Sequence, residues 1–183
     1  MSELADLLLD AGLVQFGWFE DGVPLRLALH LLPSYPDILQ NAAAQAAQQL
    51  DLTRFDRLLC PVDSLPFALA LSLHSGIPLV YSQNSEEAPV YDLVGAYDVG
   101  HPVLIVATSF SGSSAVEALI QKGRRVGLEV EAVVLMLDDS AGVVQGVERF
   151  SLLDLLSLVK KAVERGRIPA GQGNIVLEWL TVK

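Results

Sequence analysis

The chain is short, acidic and poor in cysteine: its 183 residues carry a formal net charge of −10 and suit one domain, expected to span residues 1–183. Nucleic acids and anionic membranes attract clustered Lys and Arg, so neither is an expected partner. Cys60 is the only cysteine, which excludes an intramolecular disulfide and a cysteine-based metal centre.

The N-terminal segment predicts an amphipathic helix over residues 2–11. Glu3, Asp6 and Asp10 interrupt its apolar residues and no basic residue precedes it, so the segment does not fit a secretory signal. No apolar run in the chain approaches the roughly 18 residues that a membrane span needs. We therefore expect a cytoplasmic protein without membrane contact.

The remaining sequence predicts alternating strands and helices. An extended piece over residues 25–32 and a helix rich in Ala and Gln over residues 35–50 come first. Strands are then predicted at residues 57–61, 78–81, 90–94 (an edge strand), 103–106 and 130–136, and helices at residues 64–75, 114–126 and 151–165, the first of them ended by Gly76. Strands separated by single helices indicate an α/β fold with a parallel sheet covered on both faces.

The loops that follow the predicted parallel strands are expected to surround one cleft. Open parallel sheets bind ligands outside the carboxyl ends of their strands, which here are followed by the loops after Pro61, Tyr81, Val106 and Met136. The third loop belongs to VLIVATSFSGSSAVEAL (residues 103–119), which has the outline of a phosphate-binding strand, loop and helix. Residues 58–121 contain no Lys or Arg, however, so the cations that most enzymes place around phosphorylated substrates are missing.

Three long segments carry a family pattern along the chain: LADLLLDAGLVQFGWF with Phe16, Gly17 and Phe19, then FDRLLCPVDSLPFALALSLHSGIPLVYSQ, then LVGAYDVGHPVLIVATSFSGSSAVEALIQKG. In this order they resemble the N-terminal helix, the pyrophosphate loop and the phosphoribosyl-pyrophosphate motif of the orotate phosphoribosyltransferase family. The resemblance implies a type I phosphoribosyltransferase-like parallel sheet flanked by helices, with a small N-terminal hood. It also implies a homodimer in which a mobile loop of one subunit covers the site of the other.

The chain departs from this family where the family carries charges. Where the family has an acidic pair that engages the ribose hydroxyls, this chain has Ala107 and Thr108. Where the family has an Arg-Lys pair, this chain has Ser82 and Gln83. Asp139 stands where the family has an Arg beside the orotate carboxylate. The family's loop with a catalytic Lys is replaced by NSEEAP, whose Glu86 and Glu87 are interpreted as solvated. The resemblance therefore implies a family member whose active site is degenerate.

The 5′-phosphate loop is the family feature that the chain retains. Ser109, Ser111, Gly112, Ser113 and Ser114 match that loop and are the candidate phosphate-binding residues. Backbone N–H groups at the start of the following helix favour an anion there. The alternative is that residues 111–114 form only a helix N-cap and a tight turn.

Two functions remain open. In the first, catalysis is lost, and the chain binds a phosphorylated or nucleotide-like ligand or a protein partner, with no catalytic residue, metal or cofactor. In the second, it is an active orotate phosphoribosyltransferase that uses Mg²⁺ to make orotidine 5′-phosphate in pyrimidine biosynthesis. Each lost contact to a charged group is worth about 1.5 to 3 kcal/mol, and tenfold in rate corresponds to about 1.4 kcal/mol, so the first function is preferred.

Other chemically capable side chains are assigned structural roles. His74 lies near a helix C-terminus and His101 in a Gly-His-Pro turn, and neither has a nucleophile or metal partner in the sequence. Cys60 is expected to be an inert core thiol, and Asp63 is expected to cap the helix that begins near Ser64.

Two pairs of residues keep two interpretations each. Phe16 and Phe19 either cover a base pocket or belong to the core. Asp138 and Asp139 either bind Mg²⁺ as a pair of hard oxygen ligands or are solvated at a strand end, and the solvated interpretation is preferred.

Overall fold

Two sheets organise the computed structural model, which describes residues 3–19, 22–83, 92–109, 114–138 and 146–182. The strands are β1 (Val14–Phe16), β2 (Leu25–Leu27), β3 (Arg57–Pro61), β4 (Leu79–Ser82), β5 (Leu93–Val94), β6 (Pro102–Ser109), β7 (Glu129–Asp138) and β8 (Glu148–Asp154). The helices are α1 (Glu3–Asp10), α2 (Pro36–Gln49), α3 (Leu65–Ser75), α4 (Ser114–Arg125), α5 (Leu155–Glu164) and α6 (Ala170–Val182). None of the described helices is long and apolar enough to cross a membrane.

The larger sheet has six strands in the order β5-β4-β3-β6-β7-β8. All neighbours are parallel except β5, which pairs with β4 in antiparallel orientation at the edge. This sheet confirms the predicted α/β class and the predicted edge strand. That residues 1–183 form a single domain stays a prediction.

The two central strands are apolar on both sides because both faces of the sheet are covered. Along β6, Leu104 and Val106 face one core, which also contains residues of α1, α2, α3 and α5. Ile105 and Ala107 face a second core under α4. A strand buried on both faces has a nearly continuous run of apolar residues, and such a run is the pattern from which these strands were predicted.

Helix α4 approaches the sheet closely at Gly123. A Cβ atom at this position would lie 3.0 Å from Val130 Cγ2 and 3.3 Å from Leu59 Cδ2. The missing side chain therefore lets the last turn of α4 lie directly on β3 and β7. Helix α3, on the other face, ends as predicted at Gly76, whose φ of +78° is left-handed.

A small hood precedes the large sheet. It consists of the antiparallel strands β1 and β2, in which Val14 pairs with Leu27, and a 3₁₀ helix at Leu29–Ser34. The predicted extended piece over residues 25–32 is thus correct only for β2. The 3₁₀ helix includes Pro33 and leads into α2, which begins at Pro36.

The predicted helix over residues 151–165 is wrong in its first turn. Residues 151–154 belong to β8, which lies parallel to β7, and α5 begins only at Leu155. The Asp154 carboxylate accepts a hydrogen bond from the Ser157 backbone N–H at 2.8 Å and so fixes the helix start. The elements β1, β8 and α6 were not predicted.

Candidate functional site

A cleft of about 460 Å³ opens at the carboxyl ends of β3 and β6. The hood supplies one wall with Leu27, Leu29 and the exposed His30, while the segment from Pro61 to Pro66 supplies the other. The end of β6 and the first turn of α4 form the floor. The cleft therefore lies where the sequence predicts it, although the loops after β4 and β7 fall largely outside the described residues.

Two buried residues connect β6 to the turn that follows β3. The Thr108 backbone N–H donates to Ser64 Oγ at 2.9 Å, and the two residues are 6% and 3% exposed. Ser64 is also the N-cap residue of α3 but makes no side-chain capping bond. The predicted capping role of Asp63 is therefore wrong, and Asp63 instead lies exposed along the cleft.

The two residues at the position of the family's acidic pair have different surroundings. Ala107 is 1% exposed and packs in the core under α4. Thr108 lines the cleft, and its Oγ1 atom is buried with no hydrogen-bond partner among the described residues. Thr108 is thus the residue of this pair that borders the cleft, and its hydroxyl oxygen is buried.

The candidate phosphate loop is described only at its ends. Ser109 lines the cleft, and Ser114 is the first residue of α4. Ser111, Gly112 and Ser113 lie outside the described residues, as does Asp139. Phosphate binding by this loop stays a prediction.

No Lys or Arg lines the cleft in the part of the chain that the structure describes. Several cations are instead paired with acids elsewhere: Arg54 with Glu131 and Glu148, Arg165 with Asp6, and Arg167 with Asp10. Outside the described ranges, the sequence has one basic residue, Lys183.

Among the described residues that line the cleft, Asp63 is the one carboxylate that could serve as a ligand of Mg²⁺. Mg²⁺ prefers carboxylate ligands together with substrate oxygens, and the positions of the family's two acids hold a methyl group and a hydroxyl. Across the described ranges, no group of three His, Cys, Asp or Glu side chains is placed to hold a metal.

Ser82, at the position of a family Arg, belongs to a buried polar cluster. Lys122 Nζ lies 2.7 Å from Asp92 Oδ2 and 2.9 Å from Ser82 Oγ, and Ser82 Oγ lies 2.9 Å from the same carboxylate oxygen. The Lys122 and Asp92 side chains are only 7% and 6% exposed. Gln83 follows at the surface. No local pattern in the sequence links these residues, because Lys122 is on α4 and the other two belong to the β4–β5 edge.

The preferred interpretation of Asp138 as a solvated residue is wrong. Its carboxylate pairs with Arg149 of β8, and the two side chains are 15% and 16% exposed. His101 Nδ1 accepts a hydrogen bond from the Asp98 backbone N–H at 3.1 Å, which fits a structural role in the turn. Of the histidines, His30 lines the cleft, and it was not among the predicted candidates.

The remaining candidates belong to the core or to the hood. Cys60 is fully buried, which confirms its predicted place in the core, and burial together with the Asp63 carboxylate raises the pKa of its thiol to about 12. Phe16 packs against the main core. The Phe19 ring lies 5.3 Å from the Arg26 guanidinium.

Comparison with known proteins shows which family shares this sequence and fold. No family profile matches the chain. The chain is 28% identical over 171 residues to an orotate phosphoribosyltransferase of Archaeoglobus fulgidus. The aligned region covers 87% of this chain and 94% of that protein. Its structure is similar to that of Leishmania donovani UMP synthase, with a TM-score of 0.84 and 30% identity over 99% of this chain, although the chain spans only 42% of that larger protein.

A smaller solved protein is matched over nearly its full length. The orotate phosphoribosyltransferase of Aeropyrum pernix has a TM-score of 0.71 and 19% identity over 86% of this chain and 97% of its own, a level of identity that establishes the fold alone. Collinear sequence likeness to the Archaeoglobus protein and a common fold in both solved structures lead to one conclusion: the chain is similar in sequence to orotate phosphoribosyltransferases and has the type I phosphoribosyltransferase fold.

Proposed function

We propose that this chain binds a small nucleotide-related molecule in the cleft and does not transfer phosphoribosyl groups at an ordinary enzymatic rate. One observation carries the proposal: no cation lines the described cleft, and the acidic pair is replaced by Ala107 and Thr108. Enzymes that transfer charged groups stabilise the developing charge with fixed cations, dipoles or metal ions. The described residues that line this cleft include no Lys or Arg that would do so.

An active orotate phosphoribosyltransferase is the second candidate. The likeness to the Archaeoglobus fulgidus orotate phosphoribosyltransferase over 94% of that protein favours it. Under this alternative, segments outside the described residues would have to complete the site, and those segments contain no Lys or Arg apart from Lys183. Orotate and phosphoribosyl pyrophosphate would then be held mainly by backbone N–H groups.

A turnover assay separates the two candidates. The chain and the Archaeoglobus fulgidus relative are each mixed with orotate, phosphoribosyl pyrophosphate and Mg²⁺, and consumption of orotate is followed by absorbance. We expect a rate at least roughly a thousandfold below that of the relative, the effect of losing about 4 kcal/mol of transition-state stabilisation. A rate within tenfold of the relative would establish the active enzyme.

We also propose a homodimer, and the surface of α3 supports it. Helix α3 contains no Asp, Glu, Lys or Arg, yet Leu69 and Leu73 on it are 48% and 79% exposed. A helix that has no charged side chain and exposes two leucines is normally covered, and a second copy of the chain is the occupant that the family resemblance implies.

A further inference from the structure

The cleft has no permanent positive charge in the described residues, and His30 is the one side chain among those that line it that can acquire such a charge. We propose that protonation of His30 strengthens the binding of an anionic ligand in this cleft, so that the affinity falls as pH rises. This inference rests on the proposed binding function and names the residue that controls it.

The hood fixes the position of His30 at the cleft. His30 is exposed, whereas Leu29 and Leu32 of the same 3₁₀ helix are buried in the main core. Directly before this helix, the Ala28 backbone N–H donates to the Leu13 carbonyl at 2.8 Å. The imidazole therefore belongs to a wall that is anchored on both sides of it.

The charged surroundings of His30 are few. Asp63, on the opposite wall, is the other titratable side chain that lines the described cleft. The 3₁₀ helix packs chiefly against α2 and α3, whose titratable residues are Asp37 and His74, and neither of these lines the cleft. A carboxylate ordinarily stays charged above about pH 5, whereas histidine ordinarily changes charge between about pH 5 and 8. The described lining thus changes from no net charge to one negative charge as the imidazole loses its proton.

The floor of the cleft is the part that favours an anion. The first turn of α4 lines it with Ala115 and Val116, and the start of a helix carries partial positive charge. An anion there would be attracted by protonated His30 and repelled by Asp63. The protonation state of one imidazole therefore decides whether the repulsion by Asp63 is offset.

Sulfate tests the inference on the whole chain, because its charge does not change between weakly acidic and weakly alkaline pH. Calorimetric titration at low salt should give a roughly tenfold higher sulfate affinity at about pH 5.5 than at about pH 8, the size of one charge–charge interaction near the surface. Orotate, whose carboxylate also stays charged, is titrated in parallel. Orotate binding without a pH-dependent sulfate affinity would overturn this inference and leave the proposed binding function standing. Absence of binding by both compounds in the millimolar range would overturn both.

Two substitutions of His30 assign the effect to its charge. His30→Asn should abolish the pH dependence and keep the weaker affinity of the alkaline wild-type chain, because asparagine stays neutral. His30→Lys should bind sulfate at about pH 8 as tightly as the wild-type chain does at about pH 5.5, since its amine stays protonated. His74→Asn is the matched control, because it removes an exposed histidine that does not line the cleft. If His30→Asn keeps the pH dependence, or His74→Asn loses it, another group controls the affinity and the inference is wrong.

The histidine signals in proton NMR provide a second readout. Linkage requires that, if protonation tightens sulfate binding tenfold, saturating sulfate moves the titration midpoint of the His30 signal upward by about one pH unit. The chain has three histidines, and the spectrum of His30→Asn identifies the signal of His30. We expect this midpoint to move and those of His74 and His101 to stay. An unmoved His30 midpoint in saturating sulfate would contradict the inference.

Discussion

Ser64 and Thr108 are joined by a hydrogen bond that gives Ser64 a different role from the one expected at a helix start. Ser64 would ordinarily cap α3, but its oxygen accepts the backbone N–H of Thr108 instead. The turn after β3 is thereby joined to the end of β6, and Asp63 is left at the surface of the cleft. Local sequence favoured a capping Asp, and the long-range bond between residues 64 and 108 was not visible in it.

The buried thiol of Cys60 should be unreactive in the native chain. Its thiol is fully buried, and its pKa of about 12 keeps it protonated at pH 8. We expect no reaction of the native chain with a disulfide reagent at pH 8, and reaction of one thiol per chain after denaturation. Rapid labelling of the native chain would show that Cys60 is accessible.

The same pKa shift predicts a loss of stability in alkali. The unfolded thiol loses its proton near its usual pKa of 9.0, whereas the folded thiol keeps it until about 12. The unfolded state is therefore favoured progressively as pH rises from 9 to 12, and Cys60→Ala should lack this component in urea unfolding measured across that range.

At the scale of elements, the sequence predicted those strands and helices that are buried or clearly ended. Strand β3 was predicted at its observed bounds and α3 within one residue. Strand β8 was missed because Leu152 and Leu153 suit the first turn of a helix continuing into α5 equally well. Only pairing with β7, a tertiary contact, decides between the two.

The buried cluster of Lys122, Asp92 and Ser82 joins α4 to the β4–β5 edge. Lys122→Met should lower the free energy of unfolding by about 3 to 5 kcal/mol, because the buried Asp92 carboxylate loses its cation. Chemical denaturation measures the change. Lys160→Met, the same substitution at an exposed position of α5, should have little effect.

A double variant gives the sharper control. Adding Asp92→Asn to Lys122→Met removes the uncompensated charge and should restore part of the lost stability. If the double variant is as unstable as the sum of the two single variants, the two side chains are not coupled.

At the scale of the whole molecule, the family resemblance predicted the architecture, and the site was predicted only in outline. The predicted strand order indicated where the cleft lies, and the composition indicated that Lys and Arg are missing from it. The hood residues that line the cleft, including His30, were not predicted, because the 3₁₀ helix at Leu29–Ser34 brings them there. A short helix containing Pro33 has no periodicity that would reveal which side faces the ligand.

Substitution of the exposed Leu73 on α3 tests the proposed homodimer. The wild-type chain should sediment as a dimer at micromolar concentration and Leu73→Glu as a monomer of 19.7 kDa, because a carboxylate would be buried in the α3 contact. Val99→Glu, at an 81% exposed position away from α3, should remain dimeric. A monomeric wild-type chain would contradict the proposal.

Strands β4 and β5 hold both ends of the intervening segment at one place. The Ser82 hydroxyl donates to the Asp92 carboxylate, and the Gln83 backbone N–H donates to the Asp92 carbonyl at 3.2 Å. Gln83 and Asp92, which flank the intervening segment, are therefore held next to each other at the edge of the sheet. A peptide tag grafted between Gln83 and Asp92 would add little loop-closure entropy, and a protease cut there would leave two fragments that stay associated.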